Sequence, residues 1–320
     1  MSRTPDLHVV VGKGPVGSTT AELLAARGHR VRVLSRSGGT STDRVEHRSV
    51  DAADAGALTA AARGAAAVYN AVNPAYSRWP TDWPPVAAAL LTAAERTGAR
   101  LVTMGNLYVY GRPSGPMTPA GPLAATDVKG RVRLAMWRDA LAAHEAGRVR
   151  VTEARAADFV GPQVPAAHSH LVRQLDTLRR GRRAWVVGDP DVLRSWAYLP
   201  DVAATLVTLG TDDRALGRAW HVPSAPPRSQ RQALTDLAAV MSSPAHPVPP
   251  ARVSGIPWPV LRAVGLAAPV MREIVAVRHQ FDQDYVIDAG ETTATFGLTP
   301  TPWEQVVAAT AAATGARVPA

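Results

Sequence analysis

The chain has 320 residues, no cysteine, 46% hydrophobic and 19% charged residues, and a formal charge of +9. That length buries one large core or two smaller ones, and the missing cysteine excludes a disulfide framework, a thiol nucleophile and a thiolate metal site. No apolar run is long enough to span a bilayer and no signal peptide precedes the first apolar segment, residues 1–6 reading as a short tail, so a soluble cytoplasmic protein with no membrane partner is expected.

The charge is carried almost wholly by scattered arginine, since only Lys13 and Lys129 are lysines. No aromatic stacking platform is interleaved with it, which argues against a nucleic-acid partner.

The chain opens on an apolar strand, Leu7 to Val11, followed by the turn Gly12-Lys13-Gly14-Pro15-Val16-Gly17. A helix is expected from about Ser18 to Arg27 with Gly28 closing it, then a second strand over Arg30 to Ser35. Gly12, Gly14 and Gly17 fit G-x-G-x-x-G in the strand–turn–helix context that the motif requires. The first glycine makes the turn, the second admits a pyrophosphate, and the third lets helix and strand pack closely. The helix N-terminus then offers free N–H groups to the phosphates, with Pro15 and Val16 beside them. No Gly-Lys-Ser/Thr closes the loop, which excludes a phosphate-loop NTPase. Ser35 and Arg36 stand where an NAD site places a carboxylate for the ribose 2′-OH. A guanidinium there suits a 2′-phosphate, so the expected cofactor is NADP(H).

A strand over Val45 to Val50 ends at Asp51, a candidate for the adenine end of the cofactor and otherwise an N-cap for a helix over Ala57–Arg63. Ala65 to Asn70 is a buried strand that ends in Ala71-Val72-Asn73-Pro74, at the edge where open α/β sheets bind ligand. Ala71 and Asn73 are therefore cofactor candidates, and Asn73 also a substrate contact. Tyr76, Trp79 and Trp83 follow in a Pro-rich loop, either walling a flat substrate or anchoring the loop. A helix over Pro85–Thr97 and a strand over Arg100–Met104 come next, with Met104 facing the cofactor and Tyr108 the substrate.

After a Pro/Gly loop, a long helix spans Val128 to Ala146 and a strand spans Arg150 to Ala156. Phe159, just past that strand, is expected beside nicotinamide and substrate. The alternation predicts an α/β fold, a doubly wound parallel sheet of Rossmann type, over residues 1–160 as the NADP-binding domain. Residues 161–320 are expected to form mainly a smaller C-terminal substrate-binding lobe, with segments near 192–210 returning to the Rossmann sheet. Within it the pattern predicts helix over 166–181, a strand over Trp185–Val187 and an extended Trp196–Leu199 with Trp196 lining the substrate. A helix capped by Asp201, an extended Trp220–Val222, a helix over Gln230–Met241 and an apolar helical stripe over Ile274–Phe281 follow. His168 and His170 lack a carboxylate at metal-ligand spacing, so no metal is expected.

GKGPVG at 12–17, NLYVYG at 106–111, ARAADFVGP at 154–162, RSWAYLPDVA at 194–203 and FGLTPTPWEQ at 296–305 together resemble the extended short-chain dehydrogenase/reductase family, the NAD-dependent epimerase/dehydratase group. The resemblance implies hydride chemistry in which a Ser or Thr and a Tyr-x-x-x-Lys pair serve the carbonyl oxygen. This chain departs from that pattern, because no tyrosine has lysine four residues on. Asn106 fills the serine place, and Lys129 and Arg133 best match the tyrosine and lysine places. The resemblance thus points to an atypical, tyrosine-less NADPH-dependent ketoreductase. Asn106 and Lys129 would be its catalytic donors and Lys129 would also contact the cofactor. The partner would be a small aromatic ketone, an angucyclinone-like polyketide, whose own phenol supplies the proton. A cofactor-binding regulator without catalysis and a sugar-nucleotide epimerase or dehydratase are the alternatives.

Overall fold

The computed structural model describes residues 5–312; the first residues of the N-terminal tail and residues 313–320 lie outside the described residues. Short Val- and Ala-rich runs between glycines become strands, and the Ala/Leu stretches between them become helices. In chain order they are β1 (Leu7–Val11), α1 (Pro15–Ala26), β2 (Arg30–Ser35), β3 (Val45–Ser49), α2 (Ala55–Ala61), β4 (Ala65–Asn70), α3 (Trp79–Thr97), β5 (Arg100–Asn106), α4 (Val128–Glu145), β6 (Val151–Ala156) and β7 (Asp158–Val160). The second half supplies α5 (Leu175–Arg179), β8 (Ala184–Val187), β9 (Leu193–Arg194), β10 (Trp196–Tyr198), α6 (Leu199–Thr211), β11 (Ala219–His221), β12 (Arg228–Ser229) and α7 (Gln230–Met241). It ends with β13 (Val253–Ile256), α8 (Trp258–Gly265), α9 (Pro269–Ala276), α10 (Gly290–Phe296) and α11 (Trp303–Ala312).

Seven strands form one parallel sheet in the order β11-β6-β5-β4-β1-β2-β3. The order reverses between β1 and β4, and the carboxyl ends of those strands frame the crevice where such sheets take ligands. β1 is buried from His8 to Val11, as a central strand covered on both faces must be. On one face Val10 belongs to a core cluster that also takes in Leu24 of α1, Leu206 of α6, Leu237 of α7 and Val306 of α11. On the other, Val9 and Val11 share a cluster with Leu58 of α2, Leu90 of α3 and Trp137 of α4. The remaining strands pair two by two, β10 with β7, β12 with β9 and β13 with β8, beside the helical pair α8–α9.

A buried polar chain ties β11 to the sheet. Arg155 Nε donates to Glu153 at 2.7 Å and Arg155 Nη1 to Tyr110 Oη at 2.8 Å. Tyr110 Oη lies 2.6 Å from His221 Nε2, and His221 Nδ1 lies 2.9 Å from the Asp288 carbonyl. The guanidinium can only donate, so Tyr110 accepts from it and donates to Nε2, which leaves the imidazole proton on Nδ1. Burial pushes the His221 pKa down to about 4, keeping the ring neutral.

Several expected boundaries are corrected. α1 begins at Pro15, not Ser18, because proline at the first helical position presets φ and needs no N–H partner. α3 begins at Trp79: Trp79 and Trp83 are buried helical residues, 3% and 0% exposed, rather than loop walls, and their burial carries the helix through Pro84 and Pro85. α2 is capped by Asp54, whose side chain accepts from the Ala57 N–H, while Asp51 only turns back on Ala53. Asp201 is not a cap either. Its carboxylate accepts from the Thr301 N–H at 2.8 Å and Oγ1 at 2.7 Å, fastening the segment before α11 to α6. Helix over 166–181 is confined to single turns and α5, and the stripe over Ile274–Phe281 divides between α9 and a turn at Arg278–Gln280. The segment near 192–210 reaches the main sheet as α6, packed on β4, β5 and β6, and the strand that rejoins it is β11, further on.

Candidate functional site

The three loop glycines have three different surroundings. Gly12 has φ +109°, and a Cβ there would lie 2.5 Å from the Ala71 carbonyl oxygen. A Cβ on Gly17 would lie 2.0 Å from the Gly12 carbonyl oxygen. A Cβ on Gly14 would meet nothing within 4 Å. Two glycines thus close the backbone on itself and the middle one keeps open space in front of α1. Gly14 caps α1 with no side-chain bond, and the first turn holds no acidic residue. The helix therefore presents unsatisfied N–H groups and its positive end to that space. This cradle fits the pyrophosphate of a dinucleotide; Pro15 beside it is partly exposed and Val16 is buried in the core.

Beside it, Lys13 Nζ donates to the Gly38 carbonyl at 2.9 Å and Ser35 Oγ donates to the same oxygen at 3.1 Å. Ser49 Oγ holds the Arg36 carbonyl at 2.7 Å. The loop after β2 is thus pinned, with the Arg36 side chain exposed. Lys13 is one of only two lysines in the chain, and its ammonium bridges the glycine turn and the loop after β2. Asp51 is exposed at the end of β3, and Ala71 packs under Gly12 while Asn73 is exposed beyond β4.

Met104 is corrected. β5 runs on to Asn106, so Met104 lies inside the strand, 8% exposed in the core, with its carbonyl accepting from Arg133 Nη1 at 3.2 Å. Asn106 ends the strand, and its Oδ1 accepts from the Tyr108 N–H at 3.2 Å. Tyr108 meets Tyr76 there, with 3.1 Å between their hydroxyl oxygens. Burial pushes the Tyr108 phenol up to about 12 and raises Tyr76 further.

Lys129, in the first turn of α4, is 2% exposed. Its ammonium pairs with Glu273 of α9 at 2.9 Å, donates to the Tyr76 carbonyl and sits 3.8 Å above the Tyr76 ring centroid. Arg133 lies one turn on, its guanidinium 4.7 Å and 4.3 Å from the Trp79 and Trp83 rings, and burial lowers its pKa to about 10. Two buried cations, Lys129 and Arg133, therefore sit against Tyr76, Trp79 and Trp83 at the start of α4. Glu273 carried no sequence signal, because its partner lies in another element far along the chain.

Across the crevice, Phe159 is half-buried and its carbonyl accepts from Ser169 Oγ at 2.8 Å. Asp158 beside it is bound by Arg194, whose Nη1 also donates to the Gln280 carbonyl and whose guanidinium lies 4.8 Å from the Phe281 ring centroid. Burial is the largest influence and opposes ionisation of Asp158, but the Arg194 charge and hydrogen bond, with His170 and Arg173, together outweigh it and hold the carboxyl below its usual range. Burial lowers His170, near the same carboxylate, to about 4. Trp196 is corrected: at 2% exposure, with its indole N–H donating to the Arg228 carbonyl at 2.9 Å, it is core under the crevice rather than its lining. Among the described residues no cluster of His, Cys, Asp or Glu could hold a metal, and no helix is long and apolar enough to cross a membrane.

The family model described as NAD dependent epimerase/dehydratase family matches residues 9–222, from β1 through β11. The chain belongs to that family. No curated protein matches it by sequence. The fold of the family extends over almost the whole chain. A dTDP-glucose 4,6-dehydratase from Bacillus anthracis, in complex with NAD, superposes with a TM-score of 0.76 at 14% identity over 97% of this chain and 96% of that one. A UDP-glucose 4-epimerase from Thermotoga maritima, with UDP-glucose, gives 0.77 at 14% identity over 97% and 98%. A dTDP-glucose 4,6-dehydratase from Streptomyces venezuelae gives 0.75 at 19% identity over 97% of each chain.

Proposed function

We propose that this family member is an NADPH-dependent reductase of a carbonyl on a flat aromatic substrate, of the angucyclinone-like polyketide class. The observation that carries the reading is the pairing of an intact dinucleotide cradle with Lys129 and Arg133 in place of the family's tyrosine and lysine. NADPH supplies hydride at the crevice. Gly12, Gly14, Pro15, Val16 and Gly17 hold the pyrophosphate, with Ala71 beneath. Ser35, Arg36 and Lys13 take the ribose 2′-phosphate, since the end of β2 carries cations and no carboxylate. Asp51 borders the adenine, and Asn73 and Phe159 border nicotinamide and substrate. The Asn106 amide donates to the carbonyl oxygen, where negative charge develops. Lys129 acts through Tyr76, whose ring and carbonyl it holds, and so positions Tyr76 and Tyr108 as the aromatic wall of the substrate site.

The sugar-nucleotide enzymes among the structural neighbours favour a second reading, epimerase or dehydratase chemistry on such a substrate. Against it stands the replaced phenol. The test is NADPH oxidation across a panel of aromatic quinones, ketones and sugar nucleotides, with Kd measured for NADPH and NADH. Turnover of an aromatic ketone and an NADPH preference that Arg36→Ala lowers at least about tenfold are expected. Equal affinity for the two cofactors removes the NADPH assignment. Tight binding with no turnover across the panel makes the chain a cofactor-binding regulator.

A further inference from the structure

By the reading above, the family's phenol is missing from α4, yet two other phenols meet nearby, one of them, Tyr76, in contact with Lys129. Tyr76 belongs to the single turn Tyr76–Arg78 after β4, and Tyr108 to the single turn Leu107–Tyr110 after β5. Tyr76 Oη donates to Tyr108 Oη at 3.1 Å. The Tyr76 ring lies under the Lys129 ammonium and edge-on to Trp79, 5.3 Å between centroids. The Tyr108 ring lies 5.8 Å from Trp79, and its backbone N–H is held by Asn106. Both phenols are therefore placed by surroundings that do not involve a ligand.

The two hydroxyls share a single hydrogen bond, and a phenolic proton can rotate to either side of it. When Tyr76 is the donor, the Tyr108 O–H is left to donate to a substrate, since Tyr76 is its one side-chain hydrogen-bond partner among the described residues. A phenol that accepts from a second phenol is also the easier of the two to ionise, because the bond persists and strengthens when it carries the charge. The charges facing it are mixed. Arg133 of α4 and Arg194 of β9 favour the phenolate, and Asp158 of β7 opposes it; Tyr76 and Tyr285 complete the titratable groups around it. Two of these cations are buried and fixed, Arg133 against Trp79 and Trp83, Arg194 against Asp158. Tyr108 also stands two residues after Asn106, the amide assigned above to the carbonyl oxygen.

We propose that Tyr108 is the catalytic acid of the reduction, with Tyr76 behind it as proton relay. This rests on the reductase reading. As hydride adds to the carbonyl carbon, the C=O π pair moves onto oxygen and that oxygen takes the Tyr108 proton, giving the alcohol. The Tyr108 phenolate takes the Tyr76 proton across their hydrogen bond. Water returns a proton to Tyr76, which is only half-buried. The nicotinamide leaves oxidised, so charge and electrons balance without a further reactant, and the substrate needs no phenol of its own.

The experiment compares wild type, Tyr108→Phe and Tyr76→Phe with NADPH and an aromatic ketone that carries no phenolic or enolic hydroxyl. Kd for NADPH is measured by cofactor fluorescence in each. For Tyr108→Phe, kcat should fall by about 10²–10⁴-fold, the usual contribution of a positioned acid, with KM and Kd for NADPH within about threefold. Its kcat should then fall about tenfold per pH unit where wild type is flat, because the proton must come from solvent. Tyr76→Phe should keep turnover and lose about tenfold in kcat, the cost of a relay replaced by water. If wild type reduces this ketone and Tyr108→Phe does so within threefold at an unchanged pH profile, Tyr108 is not the acid and the reductase reading stands. If wild type reduces only ketones bearing a neighbouring phenol, the substrate is the proton source and the proposal is overturned. No oxidation of NADPH by any aromatic ketone overturns both. Should Tyr108→Phe lose NADPH binding, Tyr76→Phe decides: kcat equal to wild type overturns the relay and the acid it serves.

Discussion

Alanine at Gly14 and alanine at Gly17 should separate ligand binding from folding within a single loop. At Gly17 the new Cβ would stand 2.0 Å from the Gly12 carbonyl oxygen and 2.9 Å from its carbon, both backbone atoms that cannot rotate aside. Overpacking of this kind costs about 1–3 kcal/mol, set against about 1 kcal/mol gained by replacing glycine in a helix. The backbone obstacle puts the cost at the upper end, so a net loss of about 2 kcal/mol is expected. At about 2–4 °C per kcal/mol for a large domain, Tm should drop by about 4–8 °C. At Gly14 the Cβ meets no protein atom within 4 Å and φ is −67°, which any residue adopts. Gly14→Ala should change stability by less than about 1 kcal/mol, the difference between glycine and alanine at an N-cap. Its methyl would occupy the space assigned to the pyrophosphate. Displacing one charge-assisted hydrogen bond costs about 1.5–3 kcal/mol, or about 10–100-fold in Kd for NADPH. Thermal melts and a fluorescence titration with NADPH read both effects. A Gly14→Ala protein that binds NADPH within about twofold of wild type refutes the placement of the phosphates. A Gly17→Ala protein that melts with wild type refutes the packing argument.

Two further outcomes concern stability. Glu273→Ala leaves the Lys129 ammonium buried against a carbonyl and a ring, and because Glu273 itself is partly exposed the expected loss is about 2 kcal/mol rather than the full cost of breaking a buried pair. Urea unfolding measures it, Glu273→Gln should recover part, and a change below about 0.5 kcal/mol contradicts the pairing. His8 and His221, 1% and 0% exposed, have pKa values lowered from 6.5 to about 4 by burial. The unfolded chain therefore binds more protons below pH 6.5, so their contribution is complete above that pH and is lost as pH falls toward 4. The slope near pH 5 should be about 1.4 kcal/mol per pH unit for each ring, and His221→Gln should flatten it; stability unchanged between pH 6.5 and 4.5 contradicts neutral burial.

The strands of the central sheet were legible because their signal is local. Val9 to Val11 and Ala65 to Tyr69 are apolar runs closed by glycine or a polar residue, and Val31 to Leu34 is apolar but for Arg32; a parallel strand needs little else. The start of α3 was hidden because Pro80, Pro84 and Pro85 read as a loop, whereas the packing of Trp79 against Trp83 and Arg133 is tertiary. Met104 was misplaced because Gly105 looks like a strand end. In the fold it is a strand residue whose missing Cβ makes room for the Glu153 carboxylate, which would stand 2.7 Å away. Trp196 looked like a lining residue because aromatic side chains near a site are ambiguous until burial is known. At the candidate site the glycine cradle could be read outright. The contacts of Lys129 could not, since Tyr76 and Glu273 reach it from elements 53 residues before and 144 after it.

The way the sheet is completed bears on how the chain can be made. β6 ends at Ala156, but the strand beside it begins at Ala219, and the helix that covers β4, β5 and β6 on one face is α6, Leu199 to Thr211. During synthesis from the N-terminus, the cofactor loop and six strands leave the ribosome well before their cover does. Tyr110 and Arg155 wait for His221 in the same interval. A nascent chain halted after β7 would carry a sheet whose β4–β6 half lacks its α6 cover, α1 alone lying on that face, and an uncapped edge at β6, both sites for unwanted pairing. The cradle at the start of the chain and the covering at its centre therefore form one cooperative unit, and the second half of the protein serves the first as its missing wall before it serves any substrate.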